Sequence, residues 1–237
     1  MTIFVIIKAT ITMTPQQNVL EFAAALKANN NREWFNENKD WYNKVRVEFE
    51  QITADLIHEI SKFDEEVKHL TPKDCLFRIY RDVRFSHDKS PYKSHFGAYI
   101  AAPNGRKSQR AGYYLHLEPG MAFASLGIWC PQPNVLKALR QSVYDNIEEL
   151  DEILNEPGFK KYYGQLSNED SLKTVPKGFP KDFSHAELLK LKHYTTEHKI
   201  EEKILKSENL ASAIAPIYQA GYALNRFLNY TVDEVAY

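Results

Sequence analysis

The side chains of this sequence that could carry out chemistry are concentrated between Phe77 and Gly97, a stretch called the basic segment below. An arginine guanidinium binds the oxygens of a phosphate or carboxylate two at a time, and a lysine adds a compact, mobile charge. The segment therefore predicts an anion-binding pocket. Its predicted ligand-binding residues are Arg78, Arg81, Arg84, Lys89, Tyr92 and Lys93.

The basic segment also holds two carboxylates, Asp82 and Asp88. In a pocket they could orient the cations or act as general acid, general base or metal ligand, so both are candidate catalytic residues. In a purely structural alternative they neutralise two of the five cations within a buried ion-pair network. The sequence leaves both alternatives open, and it leaves open whether the protein is an enzyme.

A third alternative is a nucleic-acid or protein-interaction module that uses the same basic patch. Single-strand binders stack bases on aromatic side chains that lie beside cations. The tyrosines of this region fit that pattern, although tyrosine is also common on half-buried sheets for packing reasons alone. They are Tyr80, Tyr92, Tyr99, Tyr113 and Tyr114.

More specific catalytic hypotheses fail on residue spacing. Ser86, His87 and Asp88 are adjacent in sequence, and adjacent side chains do not converge as a hydrolase triad requires. The acidic-x-Lys spacing of metal nucleases is absent around Asp82 and Asp88. His87, His95 and His116 lack the short spacings typical of metal ligands, so we expect surface or hydrogen-bonded histidines, no metal site and no cofactor.

The charge balance argues against broad nucleic-acid binding. Thirty basic and 31 acidic residues give a formal net charge of −1, whereas the basic segment alone carries +3 and the remainder −4. A molecule with this balance has no general attraction for nucleic acid or anionic lipid. The expected partner is therefore an anionic small molecule, and nucleic acid is less favoured.

Cysteine content and hydropathy bear on the compartment. Cys75 and Cys130 are the two cysteines, too few for a disulfide framework, so we expect a cytoplasmic protein. Both lie in apolar strings and are expected to be buried. No run approaches the roughly 20 apolar residues of a membrane helix, so we expect no membrane partner.

The hydrophobic pattern predicts helices at the start of the chain. Thr14-Pro15-Gln16-Gln17 is a capping box with proline at the first helical position, and it predicts a helix over residues 15–28. Asn29–Asn31 then supply a stop and a new N-cap. The apolar periodicity that follows predicts one long helix over 32–62.

From Cys75 the apolar period changes to two, which predicts a strand through the basic segment. Alternate residues would then face opposite ways, with the aromatics buried on one side and Arg78 and Arg84 flanking Asp82 on the other. The buried set would comprise Phe77, Ile79, Arg81, Val83 and Phe85. Further strands are predicted over 96–102, 111–117 and 121–129, joined by turns that contain proline and glycine.

The C-terminal half is predicted to be mainly helical. Helices should begin at Asn134 and Asn146, and Pro157-Gly158 should end the second one. A loop over 162–180 contains a short predicted strand at 172–174. A short helix over 186–191, a strand over 194–198 and a last helix from Ser207 to about residue 230 complete the prediction.

Helices first, strands in the middle and helices last indicate an α+β fold. We predict a single domain over residues 13–237, with a central, mainly antiparallel sheet and the N- and C-terminal helices packed on it. Residues 1–12 precede the first helix start and are predicted to be a leader or an extra edge strand.

The basic segment resembles the signature of a large, mainly bacterial family of uncharacterised proteins, domain of unknown function 2461. The matching residues read Phe77-Arg78-x-x-Arg81-Asp82-x-Arg84-Phe85-Ser86-x-Asp88-Lys89-x-Pro91-Tyr92-Lys93. Other matching motifs are Asn30 with Trp34-Phe35, Tyr113-Tyr114-x-His116, Gly127-x-Trp129, Leu139-Arg140 and Pro176-Lys177-Gly178-Phe179. Together they span about residues 14–230.

This resemblance implies a single-domain α+β protein, and it carries over no activity, cofactor or partner. Residues 1–12 lie outside it, which favours the leader. His87 occupies a position where the family pattern suggests a basic residue such as lysine. A role that requires a permanent charge at that position is therefore in doubt.

Overall fold

Helix α1 (Pro15–Ala28) opens the part of the chain that the computed structural model describes, residues 13–236. It begins at the predicted capping box, in which the Thr14 and Gln17 side chains bond each other's backbone. The prediction for residues 1–12 lies outside the described residues.

The predicted long helix over 32–62 is interrupted. Asn31 caps α2 (Arg32–Glu37) by accepting a hydrogen bond from the backbone N–H of Trp34 at 2.9 Å. The chain then leaves the helix at Asn38, and α3 runs over Lys39–Ile60. Asn38 donates its side-chain amide to the Trp34 carbonyl at 2.9 Å, while its N–H still donates to the same carbonyl at 3.0 Å, so the interruption is confined to one residue.

Four strands form one antiparallel sheet in the order β1 (Phe96–Ile100), β2 (Gly112–Leu117), β3 (Phe123–Ile128) and β4 (Tyr194–Lys199). Neighbouring strands are antiparallel throughout. The last three predicted strands of the central region and the later one are therefore confirmed, with small differences at their ends.

The strand predicted from Cys75 through the basic segment is wrong. A short helix, α4 (Pro72–Cys75), ends there, and the backbone beyond it forms two isolated bridges, Leu76 with Ala98 and Tyr80 with Tyr92. The predicted burial also fails, since Phe85 is 95% exposed and Phe77 is 42% exposed. The segment turns back on itself before its alternating pattern can build a strand.

The remaining helices are short or broken. They are α5 (Pro133–Asp145), α6 (Ile147–Asn155), α7 (Pro157–Tyr162), α8 (Ala186–Lys190), α9 (Glu202–Leu205), α10 (Leu210–Ala220) and α11 (Tyr222–Ala236), with single 3-10 turns at Glu65–Val67 and Gly105–Lys107. Pro157 starts a helix instead of only ending one, because its fixed φ suits the first helical position. No strand forms at 172–174 in the described chain.

The predicted last helix also differs from the structure. Asn209, not Ser207, caps it, by accepting a hydrogen bond from the Ser212 N–H at 3.0 Å. It breaks at Gly221, where a Cβ atom would lie 2.0 Å from Leu126 Cδ2 on the sheet. The break therefore falls where the helix backbone packs directly against a side chain of the sheet.

The two faces of the sheet have different surroundings. One face carries the buried side chains of Phe96, Leu115 and Leu126 and packs against α1, α3, α10 and α11. The opposite face carries Tyr114 and His116 and is called the polar face below. Helices layered on one side of an antiparallel sheet make this a single-domain α+β fold, which confirms the predicted fold class.

Two details concern the compartment and membrane predictions. Cys75 is buried as expected, but Cys130 is exposed at the end of β3 with a left-handed backbone, φ 50°. Within residues 13–236, no helix combines the length and the apolar character that crossing a bilayer requires.

Gly127 and Gly120 give a matched test of backbone packing in the sheet. Both have positive φ, +110° and +82°, but a Cβ at Gly127 would lie 2.0 Å from the Tyr194 carbonyl oxygen, whereas Gly120 has open space. We expect Gly127→Ala to lower the free energy of unfolding by about 1–3 kcal/mol more than Gly120→Ala does. Urea denaturation of the two variants measures the difference, and equal losses would contradict the close β3–β4 approach.

Candidate functional site

The basic segment folds into an irregular hairpin along β1, which is an edge strand of the sheet formed by residues 13–236. The Phe77 N–H donates to the Gly97 carbonyl at 3.0 Å, at the base of the hairpin. Further along, Lys93 N–H donates to Ile79 O at 2.8 Å and Arg81 N–H to Pro91 O at 3.0 Å. Residues 82–90 form the tip. The hairpin thus brings the first and last cations of the segment to the same end.

Tyr92 anchors this hairpin to the helical layer. Its ring is 5% exposed and stacks on Phe35, with centroids 4.0 Å apart and planes at 16°. The Asn30 side chain bonds both backbone groups of Tyr92, accepting from its N–H at 3.1 Å and donating to its carbonyl at 2.9 Å. Tyr92, predicted from the sequence as a ligand-binding residue, therefore lies in the core.

Arg81 and Asp88 form an ion pair across the tip. Arg81 Nη1 also donates to the Ser90 carbonyl at 3.3 Å. Ser90 donates its hydroxyl and its N–H to Asp88 Oδ1 at 2.6 and 2.9 Å. These Ser90 hydrogen bonds, followed by Arg81, lower the pKa of Asp88 to about 2, so this carboxylate stays ionised at neutral pH.

Arg84 and Asp82 form a second pair that is confined to the surface. The guanidinium donates to the two carboxylate oxygens at 2.9 and 2.7 Å, and this bond lowers the pKa of Asp82. The side chains are 76% and 47% exposed. Lys89 donates to the Val83 carbonyl at 3.0 Å. The buried ion-pair network considered from the sequence is therefore wrong, because Asp82 and its partner face solvent.

Arg78, Lys89 and Lys93 make no ion pair among the described residues. Since Lys89 donates to the Val83 carbonyl, Arg78 and Lys93 are the two cations of the segment with neither an ion pair nor a side-chain hydrogen bond in that part of the chain. Lys93 is half-buried, and its Nζ lies 5.2 Å from the centroid of the Phe77 ring. Burial lowers the pKa of Lys93, and the neighbouring charge of Arg78 lowers it further. The hairpin thus places two like charges close enough for Arg78 to lower the pKa of Lys93, and Arg78 also lowers the pKa of Asp82.

A second polar cluster lies beside Lys93 on the polar face and comprises His95, His116 and Glu118. The two imidazole centroids are 4.4 Å apart, and His116 Nε2 lies 3.3 Å from Glu118 Oε2. Burial, then His116 and Lys93, lowers the pKa of His95 to about 4. Burial also lowers the pKa of His116.

Glu118 was not predicted as a functional residue, although a usable signal was present. His116 and Glu118 lie two positions apart in a predicted strand and turn, so their side chains share one face. Sequence spacing does not predict this group, because only the tertiary structure brings His95, which directly precedes β1, next to His116 on β2. His87, by contrast, is exposed at the hairpin tip and does not belong to this group.

A depression elsewhere on the surface includes neither the cations of the basic segment nor the His95, His116 and Glu118 cluster in its lining. Its volume is about 290 Å³, and it is lined in part by His69, Lys73, Arg106 and Lys107. Arg106 is already engaged there, donating to the Asp74 carbonyl at 2.9 Å. None of the residues predicted from the basic segment lines this depression.

The fold and the site define a class: a single-domain α+β protein with a cationic hairpin on an edge strand and a polar cluster on the neighbouring sheet face. The chain belongs to the family described as "Conserved hypothetical protein (DUF2461)", whose model matches residues 18–227. This match confirms the family resemblance. No curated protein and no solved structure matches the chain.

The anchor at Tyr92 can be tested through Asn30. Asn30→Ala leaves the partly buried N–H and carbonyl of Tyr92 without partners, so we expect a loss of roughly 1–3 kcal/mol in the free energy of unfolding. The matched control is Asn29→Ala, which removes an exposed bond to the Ala25 carbonyl. Equal losses in denaturant titrations would show that the anchor does not position the hairpin.

Removal of the Asp82 charge tests the surface position of its pair. Because Asp82 and Arg84 are solvated in the folded protein, we expect Asp82→Asn to fold normally, with an unfolding midpoint in urea close to that of the wild type. An Asp82→Asn variant that is unfolded at 25 °C would contradict this prediction and would support the hypothesis that Asp82 belongs to a structural ion-pair network.

Proposed function

We propose that this protein binds an anionic small molecule, a phosphate or carboxylate compound, between Arg78 and Lys93. The observation that supports this proposal is the pair of neighbouring cations with neither an ion pair nor a side-chain hydrogen bond among the described residues. An anion placed between them would offset both the repulsion of the like charges and the loss of water around Lys93. Arg78 would supply a planar fork and Lys93 a point charge.

Aromatic side chains provide a wall for such a ligand. Phe77 is 42% exposed, and its ring meets that of Tyr114 edge-on, with centroids 6.2 Å apart. A ligand with a small apolar or ring portion could rest on Phe77 while its anionic group reaches Lys93. Pockets of this kind combine an apolar lining with a few polar groups.

The other predicted residues are assigned to supporting roles in this proposal. Arg81, Arg84 and Lys89 each have an intramolecular partner in the hairpin tip, and Tyr92 lies in the core. We therefore assign these four to holding the segment in shape. Catalytic roles for Asp82 and Asp88 stay predictions, and we place the protein in the cytoplasm, with its free cysteines in support.

A second candidate function is a nucleic-acid or protein-interaction module. The supporting observation is Phe85, which is 95% exposed at the hairpin tip with the Arg84 guanidinium 5.8 Å from its ring centroid. Aromatic and cationic side chains in contact are typical of surfaces that stack bases. The net charge of −1 favours the small-molecule proposal over this one.

Thermal-shift measurements with phosphate, pyrophosphate and dicarboxylates, in the presence of EDTA, test the anion site. A ligand at about 100 times its Kd should stabilise the protein by about 2.7 kcal/mol, or roughly 5–10 °C in Tm. We expect Arg78→Gln and Lys93→Gln each to abolish this shift. Arg84→Gln and Lys107→Gln should retain it, because the first lies in the tip and the second lines the other depression.

Two results would contradict the proposal. One is the absence of any shift in the wild type at millimolar ligand. The other is a shift that Lys107→Gln removes and Lys93→Gln retains, which would move the site to the other depression. Oligonucleotide binding that weakens steeply between 50 and 200 mM salt and is lost in Arg84→Gln would favour the interaction module, because counterion release produces that dependence.

A further inference from the structure

We propose that His95, His116 and Glu118 form a binding site for a first-row divalent transition-metal ion, for which Zn²⁺ is the probe. Each residue offers one ligand atom, and these atoms all lie within 4.8 Å of one another. Two imidazole nitrogens and one carboxylate oxygen are a ligand set that zinc accepts, with a further position left for water or substrate.

The sheet register fixes the positions of the three residues. His116 on β2 lies opposite Gly97 on β1, so their side-chain positions point to the same face. His95 is two residues before Gly97, and Glu118 is two residues after His116. Continuing the register by one pair beyond Phe96 and Leu117 places His95 opposite Glu118. The three side chains therefore converge on the polar face.

Gly97 leaves the space that this convergence needs. A Cβ atom at this position would lie 2.8 Å from the Tyr114 hydroxyl oxygen. Because glycine has no side chain, Tyr114 can lie across β1 and place its hydroxyl 2.9 Å from His116 Nδ1. His116 is thereby held from one side by Tyr114 and from the other by stacking on Phe123, with centroids 4.6 Å apart.

The separations fit a metal ion after a small movement. Ligands held at about 2.0–2.2 Å in a tetrahedral arrangement lie roughly 3.3–3.6 Å from one another. His116 Nε2 and Glu118 Oε2 are already 3.3 Å apart. His95 is half-buried and makes no side-chain hydrogen bond within residues 13–236, so no such bond has to break for it to approach the other two ligands.

Outer partners orient the ligands, as they do in known metal sites. Tyr114 lies at His116 Nδ1, so Nε2 is the nitrogen directed toward Glu118. Lys27 and Ser94 donate to Glu118 Oε1 at 2.9 and 3.2 Å, which leaves Oε2 as the ligand atom. His116, on β2, and Glu118, just after it, thus each have one polar atom bonded to a neighbouring side chain. Their other polar atoms, His116 Nε2 and Glu118 Oε2, face each other.

This site does not depend on the proposed anion site, although Lys93 lies beside both. The test uses the full chain after treatment with a chelator. Isothermal titration calorimetry measures zinc binding, and visible absorption measures binding of Co²⁺. We expect one metal ion per chain. His95→Ala and Glu118→Gln should each weaken zinc affinity at least tenfold, and Tyr114→Phe should weaken it about 10–100-fold.

His87→Ala is the matched control, because His87 is an exposed histidine of the same segment. It should bind zinc like the wild type. Circular dichroism identifies variants that fail to fold. If His95→Ala is unfolded, the test rests on Glu118→Gln, which keeps the side-chain volume. A folded wild type that binds neither Zn²⁺ nor Co²⁺, or binding that His95→Ala and Glu118→Gln leave unchanged, would overturn the proposal.

Discussion

The antiparallel register between β1 and β2 is the constraint on which the rest of the site depends. Gly97 lies opposite His116, while Ala98 lies opposite Leu115 on the face that the helices cover. A shift of one residue would exchange the two faces, exposing Leu115 and forcing His116 into the helical layer. Burial of the apolar face therefore fixes the register. Through the register it also fixes which polar side chains meet on the other face.

The basic segment takes its position from buried groups and not from its charges. Exposed ion pairs contribute little to stability because water and salt screen them. Tyr92 and Ile79, in contrast, are 5% and 4% exposed, and Asn30 binds both backbone groups of Tyr92. A hairpin held in this way can present Arg78 and Lys93 without using them as supports. This division between supporting and free residues is the basis of the functional proposal.

Local signals predicted much of the fold. The capping box at Thr14, the N-cap at Asn31 and the turn at Glu118-Pro119-Gly120 act within a few residues, so the sequence displays them directly. Alternation predicted the strands of the sheet. The same alternation gave a wrong prediction in the basic segment, because a period of two also fits the arm of an irregular hairpin. The exposed Phe85 lies beyond the point where that arm ends.

The sequence by itself determined most of the element types, the α+β class and the concentration of positive charge in one segment of a nearly neutral protein. The tertiary structure decided which of those charges have partners and which polar groups converge. Arg84 is paired while Lys93 is not, and His95, just before β1, meets His116 on β2. The physical reason is range: helix caps and alternation depend on near neighbours, whereas ion pairs and ligand clusters depend on distances between residues that only packing brings together.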